Sequence, residues 1–99
     1  MVFRFGRILE GKNKMVVFAI TREGYIELEP IIKTFNYPVW VGAGVLSTSE
    51  LAELRNLGLD LTEFSYAIEP NDMETILDAL DTIALHHPRQ RVWLECQPE

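Results

Sequence analysis

The chain has 99 residues, which is enough for one small domain that must bury nearly all of its apolar side chains. With 47% hydrophobic and 24% charged residues, the composition is that of a globular protein and excludes a disordered chain. The net charge of −6 argues against a nucleic-acid-binding protein, and no apolar run is long enough to cross a bilayer.

The N-terminal part of the chain predicts a β-hairpin. Residues 2–9 alternate imperfectly between apolar and polar side chains, residues 10–14 form a turn-like cluster, and residues 15–20 are continuously apolar. A continuous apolar run is typical of a strand that is buried on both faces. We therefore expect the second strand of the hairpin to lie in the centre of a sheet.

Residues 25–36 form the most ambiguous segment. Pro30 suits the first turn of a helix, where its missing N–H removes no hydrogen bond, so a short helix is predicted over residues 29–35. Its core-facing side chains would be Ile31, Ile32 and Phe35. Residues 25–28 fit either a helix or a short extra strand, and the pattern alone does not decide between them.

The middle of the chain contains the most clearly marked unit. An apolar strand over residues 37–41 is followed by Gly42 and Gly44 and then by a helix. Ser47 and Glu50 have the S-x-x-E spacing of a capping box, which fixes the start of that helix. Leu51, Leu54 and Leu57 form the apolar face of the helix. Gly58 marks its end. This strand–Gly-x-Gly–helix unit indicates an α/β fold.

The last third of the chain predicts a strand, a long helix and a final strand. Residues 62–69 alternate in the manner of a half-buried strand. Apolar side chains recur at helical spacing from Met73 to Ala84, and Pro88 ends the helix. Residues 91–96 alternate again, with Val92, Leu94 and Cys96 on one face and Arg91, Trp93 and Glu95 on the other. The complete order predicts a single α/β domain, in which a mixed sheet of about five strands packs against three helices.

The glycine turn before the central helix is the best candidate for a ligand site. Backbone N–H groups at a helix N-terminus bind phosphate or carboxylate, and hydroxyl groups lie beside them here. The candidate anion site comprises Gly42, Gly44, Ser47, Thr48 and Ser49. A single G-x-G lacks the third glycine of a dinucleotide fingerprint and the Gly-Lys-Ser/Thr of a P-loop. The same residues are therefore also explained by a tight turn and a helix cap.

Three stretches around this turn resemble a known family. Residues 20–24 (Ile-Thr-Arg-Glu-Gly) are similar to an Ile-x-Arg-Asp-Gly run, residues 38–45 resemble a strand and a phosphate-holding glycine turn, and residues 57–60 match the end of the following helix. Residues 18–60 thus resemble a βα segment of phosphate-binding (βα)₈ barrels, especially the phosphoribosyl isomerases of histidine biosynthesis. The resemblance implies phosphate binding at the turn. It does not imply isomerase chemistry, because Ala19 replaces that family's catalytic aspartate and a barrel needs roughly 200 residues.

The C-terminal half of the chain is strongly acidic. Residues 50–99 hold three Arg and eleven Asp or Glu, whereas residues 1–49 hold six Lys or Arg and four Glu. This asymmetry can steer a basic partner toward the acidic half, although solvated helix faces also explain it. Trp93 shares a strand face with Arg91, which fits either an interface anchor on an exposed edge strand or burial beneath the long helix. The candidate interface residues are Arg91, Trp93, Asp78 and Asp81.

The chain contains no group of residues with the spacing of a catalytic or metal centre. His86 and His87 point about 100° apart on a helix and cannot easily share a metal. Cys96 alternates with apolar residues, as a small buried side chain does, and one cysteine cannot form an internal disulfide. We therefore expect no catalytic residue, no metal and no cofactor. The corresponding expectation is a cytoplasmic protein without a membrane segment.

Three functions are compatible with these patterns. The first is a non-catalytic protein-interaction or regulatory module that binds a basic protein or a second copy of itself. The second is a protein that binds, or acts on, a phosphorylated small molecule at residues 42–49. Nucleic-acid binding through Arg4, Arg7, Lys12 and Lys14 is ranked last, because the overall charge opposes it.

Overall fold

Strands and helices alternate along most of the chain in the computed structural model, which describes residues 2–5 and 15–96. The strands are β1 (Val2–Phe5), β2 (Met15–Ala19), β3 (Val39–Val41), β4 (Leu61–Glu63) and β5 (Arg91–Cys96). The helices are α1 (Arg22–Phe35), α2 (Thr48–Asn56) and α3 (Met73–His86). The α/β class predicted from the sequence is confirmed.

The strands form one mixed sheet in the order β1-β5-β2-β3-β4. β5, β2, β3 and β4 are parallel, and β1 pairs antiparallel with β5 at one edge. The predicted N-terminal hairpin is wrong, because β5 lies between β1 and β2; its predicted turn, residues 10–14, lies outside the described residues. β2 is apolar on both faces and has a parallel partner on each side, so β1 pairs with the outer edge of β5 instead.

β2 is a central strand, as its continuous apolar sequence predicts. All five of its residues are buried. Val17 and Ala19 face one layer of the core, whereas Val16 and Phe18 face the other. The sheet therefore separates two apolar layers, each of which needs its own helices.

The helices supply those two layers. α1 and α2 pack on the face of the sheet that carries Val17, and α3 packs on the face that carries Phe18. The buried helix residues of the first layer include Tyr25, Leu28, Ile32, Leu51 and Leu54, and those of the second are Ile76, Ala79 and Ile83. Each helix therefore connects the end of one parallel strand to the start of the next parallel strand in the chain.

α1 is longer than the sequence predicts. It begins at Arg22, after the N-cap residue Thr21, and it contains Pro30 in its interior. Residues 25–28 are helical, so the alternative of an extra strand is wrong. The predicted start near Glu29 is wrong as well, because Thr21 and not the proline marks the first turn.

The burial of one apolar face explains why α1 tolerates an interior proline. Tyr25, Leu28 and Ile32 are at most 2% exposed. Each such burial stabilises by about 1.5–3 kcal/mol, so together they outweigh the cost of about 3 kcal/mol for the proline. Pro30 lies on the exposed side of the helix. Phe35, predicted to face the core, is instead 60% exposed.

The predicted strand over residues 62–69 is correct only at its beginning. β4 ends at Glu63, after which Ile68 is buried but Tyr66 is 40% exposed. The chain leaves the extended conformation here and folds back toward the end of β3. Gly42 permits this path, because a Cβ there would lie 3.3 Å from the backbone nitrogen of Ile68.

Candidate functional site at the carboxyl edge of the sheet

The N-termini of α1, α2 and α3 gather at one edge of the sheet. Each helix follows a parallel strand, so each begins at the carboxyl ends of the strands. Open α/β sheets bind ligands at this edge, next to the point where the strand order reverses. Here β3 and β4 lie on one side of β2 and β5 lies on the other, so the reversal falls between β2 and β5.

A buried carboxylate occupies this reversal point. Glu95, near the end of β5, is 2% exposed. Its Oε1 accepts hydrogen bonds from the backbone N–H groups of Ile20 (2.6 Å) and Thr21 (2.8 Å), and its Oε2 accepts one from the Thr21 hydroxyl. A helix N-terminus at this place in an α/β fold is a site for phosphate or carboxylate. Here the chain supplies the anion itself.

Gly24 provides the space for this carboxylate. A Cβ at Gly24 would lie 2.1 Å from Oε1 of Glu95, well inside van der Waals contact. The Gly24 N–H donates to Oγ1 of Thr21 (3.0 Å), so the threonine caps the helix and holds the carboxylate at once. Strand alternation predicts Glu95 on a polar face, so its buried position is not evident from the sequence. The available signal was a glycine in the first turn of a helix.

The N-terminus of α2 is closed by a second carboxylate. The Glu50 N–H donates to the Ser47 hydroxyl (3.1 Å) and the Ser47 N–H donates to Oε1 of Glu50 (2.8 Å), which confirms the predicted capping box. The Arg22 guanidinium also donates to both oxygens of Glu50, at 2.8 and 2.5 Å. This bidentate pair joins the start of α1 to the start of α2.

The charges of this pair are fixed by its hydrogen bonds. Donation from the Arg22 side chain, followed by donation from the Ser47 backbone, lowers the pKa of Glu50 to about 2. The hydrogen bond to Glu50 raises the pKa of Arg22 above its ordinary value. Both groups are therefore charged at neutral pH. Because both side chains are partly exposed, solvent screens the pair and its effect on stability is small.

The five residues predicted to bind an anion lie in the turn between β3 and α2 and in the first turn of α2. Gly44 has a φ of 87°, a left-handed conformation that favours glycine. Ser47, Thr48 and Ser49 are exposed around the first turn of α2. The Gly44 nitrogen lies 3.4 Å from Oε2 of Glu63. Glu63 is the last residue of β4 and lies at the same edge of the sheet. An incoming anion would meet two carboxylates here, from Glu50 and Glu63.

α3 begins at a carboxylate as well. The hydroxyl of Thr75 donates to Oδ2 of Asp72 (2.8 Å) and its N–H donates to Oδ1 (3.2 Å). These bonds, the hydroxyl bond first, lower the pKa of Asp72. Within residues 15–96, each helix N-terminus therefore has a carboxylate from the chain: Glu95 at α1, Glu50 at α2 and Asp72 at α3.

A groove of about 250 Å³ lies between α1 and α2. Ile26 and Leu57 line it with side chains that are 54% and 66% exposed. Burial, followed by donation of its hydroxyl to Glu29 (3.1 Å), raises the pKa of Tyr25 in this groove. The groove is not evident from the sequence, because it depends on the full length of α1.

The predicted interface residues do not form one surface. Asp78 and Asp81 are exposed on α3, whereas Trp93 packs, partly buried, on the face of the sheet covered by α1 and α2. β5 lies between β1 and β2, so Trp93 is not on an edge strand and is not beneath α3. Arg91 is partly buried in the same strand. The exposed members of the set are therefore the two aspartates.

The histidines have structural partners. The Trp40 Nε1–H donates to Nε2 of His87 (3.2 Å), and Nδ1 of His86 lies 3.0 Å from the Thr82 carbonyl oxygen. The described residues contain no group of three or more His, Cys, Asp or Glu placed to hold a metal ion. In the same part of the chain, no helix is both long enough and apolar enough to cross a membrane. Arg7, Lys12, Lys14 and the side chains of Arg4 and Cys96 lie outside the described residues.

Comparisons with protein-family models, with curated proteins and with solved structures found no match for this chain. The chain is an α/β protein in which carboxylates of the chain lie at the helix N-termini along the carboxyl edge of the sheet.

Proposed function

We propose that this chain is a non-catalytic protein-interaction module. The observation that carries the proposal is the carboxyl edge of the sheet, where Glu95, Glu50 and Asp72 cap the helices of the described ranges. A phosphate or carboxylate ligand would have to displace one of these groups or bind beside it. The edge that other open α/β sheets use for small anions is thus occupied by side chains.

Electrostatics disfavour an additional anion at the start of α2. The carboxylate of Glu50 lies 2.8 Å from the Ser47 nitrogen, and that of Glu63 lies 3.4 Å from the Gly44 nitrogen. Two like charges 4 Å apart near a protein surface repel by about 4 kcal/mol. At an exposed site the helix dipole attracts an anion by about 1 kcal/mol or less. Arg22 offsets the charge of Glu50, so the repulsion of an added anion comes from the carboxylate of Glu63.

Exposed apolar side chains on both helical layers favour a protein partner. Ile26 and Leu57 are 54% and 66% exposed beside the groove between α1 and α2. Met73, Leu77 and Leu85 on α3 are 58%, 54% and 81% exposed. Apolar surface with a charged rim is typical of protein–protein interaction sites. The two helical layers, rather than the carboxyl edge, offer such surface.

The alternative is a site for a phosphorylated small molecule at Gly42, Gly44, Ser47, Thr48 and Ser49. The observation in its favour is Arg22, whose guanidinium lies at this turn and donates to the Val45 carbonyl oxygen (3.3 Å). A guanidinium pairs with phosphate as readily as with carboxylate. In this alternative the phosphate takes the place of the Glu50 carboxylate.

Peptide phage display combined with a phosphate titration separates the two functions. A random-peptide library is selected on the immobilised full chain, and ¹H–¹⁵N spectra are recorded with increasing inorganic phosphate. We expect an enriched peptide motif that shifts helix amides, and no saturable phosphate shift at residues 44–50. A saturable phosphate shift at those residues, or a selection that yields no enriched motif, would overturn the proposal.

A further inference from the structure

The outer surface of α3 carries an apolar band along nearly the whole helix. Met73, Leu77, Leu80 and Ala84 recur at i, i+4, i+7 and i+11, which places them along one side of the helix over about 16 Å. Met73 and Leu77 are 58% and 54% exposed, Ala84 is exposed, and Leu80 is partly buried. The core therefore covers only part of the apolar surface of α3. We call these four residues the α3 band.

Acidic side chains flank the α3 band on its solvent side. Glu74, Asp78 and Asp81 are exposed, and α3 contains no Lys or Arg. Glu74 and Asp78 stand one turn apart, where like charges destabilise a helix slightly. Folding alone therefore does not account for this combination of exposed apolar and acidic side chains.

We propose that the α3 band binds a basic amphipathic helix of a partner protein. The apolar face of that helix would cover Met73 and Leu77, and its flanking Lys or Arg residues would pair with Asp78 and Asp81. Recognition of an amphipathic helix through its apolar face is a common mode of peptide binding. The inference rests on the proposed function and names its surface and the chemistry of its partner.

Charge complementarity selects a basic partner over a second copy of the same face. In a two-fold symmetric contact the α3 band of one copy would meet the same band of the other. Glu74, Asp78 and Asp81 of both copies would then approach each other, with no Lys or Arg on α3 to compensate. A basic amphipathic helix would pack its apolar side chains on the α3 band and pair its Lys or Arg side chains with the acidic flank.

A synthetic peptide pair tests the surface. The probe is an amphipathic helix with Leu on one face and Lys on its flanks, and the control peptide has Glu in place of every Lys. We expect the basic peptide to shift the amides of residues 73–85 saturably, and the acidic peptide to cause no shift. The double variant Asp78→Asn, Asp81→Asn should weaken binding about tenfold, and Leu77→Ser by a similar factor.

A matched variant on α1 separates specific docking from general charge attraction. Glu23→Gln with Glu27→Gln removes the same charge from another exposed helix surface and should leave the affinity unchanged. Equal weakening by both double variants, or amide shifts in the groove between α1 and α2, would overturn the α3 assignment while leaving the proposed function intact. Shifts of residues 73–85 that depend on protein concentration alone would assign the band to a second copy. Failure of the proposed function itself is distinct, since phage display would then enrich no motif.

Discussion

The N-termini of α1 and α2 both need acceptors for their free N–H groups, and they obtain them from different parts of the chain. Both present backbone N–H groups that lack partners within the helix, and both receive a glutamate carboxylate. At α1 the carboxylate belongs to Glu95, 74 residues beyond Thr21 in sequence and 2% exposed. At α2 it belongs to Glu50, three residues beyond Ser47 and partly exposed. The distant cap ties the last strand to the first helix, whereas the local cap mainly starts a helix.

Removing the distant cap should have the largest effect. Glu95→Ala eliminates an acceptor for three hydrogen bonds and leaves the N–H groups of Ile20 and Thr21 without it. Hydrogen bonds to a charged group contribute roughly 1.5–3 kcal/mol each, not additively, so we expect a loss of about 4 kcal/mol. Urea unfolding measures this loss. Glu50→Ala is the matched control, and an effect as large as that of Glu95→Ala would contradict the contrast between the two caps.

Crowding the distant cap should have the next largest effect. Gly24→Ala places a Cβ 2.1 Å from the position of the Glu95 carboxylate. In an ordinary helix this substitution stabilises by about 1 kcal/mol, whereas here we expect a loss of about 2 kcal/mol. Thermal or urea unfolding shows whether Gly24→Ala lowers or raises the free energy of unfolding.

A double-mutant cycle identifies the cause of that loss. In a Glu95→Ala background the carboxylate is gone, so Gly24→Ala should be neutral or stabilising. An unchanged penalty in that background would show that another contact is responsible.

The local cap should respond moderately and at one residue only. Ser47→Ala removes the hydroxyl that accepts from the Glu50 N–H, and an N-cap of this type contributes about 1 kcal/mol. Thr48→Ala, at the next residue, should change the unfolding free energy by less than about 0.5 kcal/mol. Equal effects of the two variants would refute the capping role of Ser47.

Acidification should produce the smallest effect, because solvent screens the pair of Arg22 and Glu50. Their hydrogen bond lowers the pKa of Glu50 from 4.5 to about 2. A carboxyl with a lowered folded pKa stabilises the fold above its unfolded pKa and loses that contribution as pH falls through the folded value. The stability advantage over Glu50→Gln should thus disappear between pH 4.5 and about 2. Urea unfolding at stepwise pH measures it, and an advantage that grows on acidification would be the wrong sign.

Sequence patterns predicted the elements that depend on near neighbours. The capping box of Ser47 and Glu50 and the central position of β2 are each encoded within a few residues, and both are confirmed. Pro30 was misleading because its preference for a first turn is local, whereas burial of the α1 face determines the helix. Packing determines the bounds of a helix wherever it contributes more free energy than the local preference of a residue.

The remaining features depend on contacts between distant segments. Alternation along β1 and β5 identifies strands but not their pairing, so the hairpin was predicted in place of the β1–β5 contact. The same alternation assigned Glu95 to a polar face. The turn at residues 42–49 forms as a local unit, but Arg22 and Glu63, which determine its electrostatics, come from other parts of the chain.

Chemical rescue of Glu95→Ala by acetate tests most directly whether this carboxylate is the anion of α1. Thermal unfolding of the variant and of the unmodified protein is compared in sodium acetate and in sodium chloride of equal ionic strength. Acetate has the size of the deleted carboxylate group and binds only the folded state, so it should raise the midpoint of the variant selectively. An equal response of both proteins to the two salts would contradict the assignment.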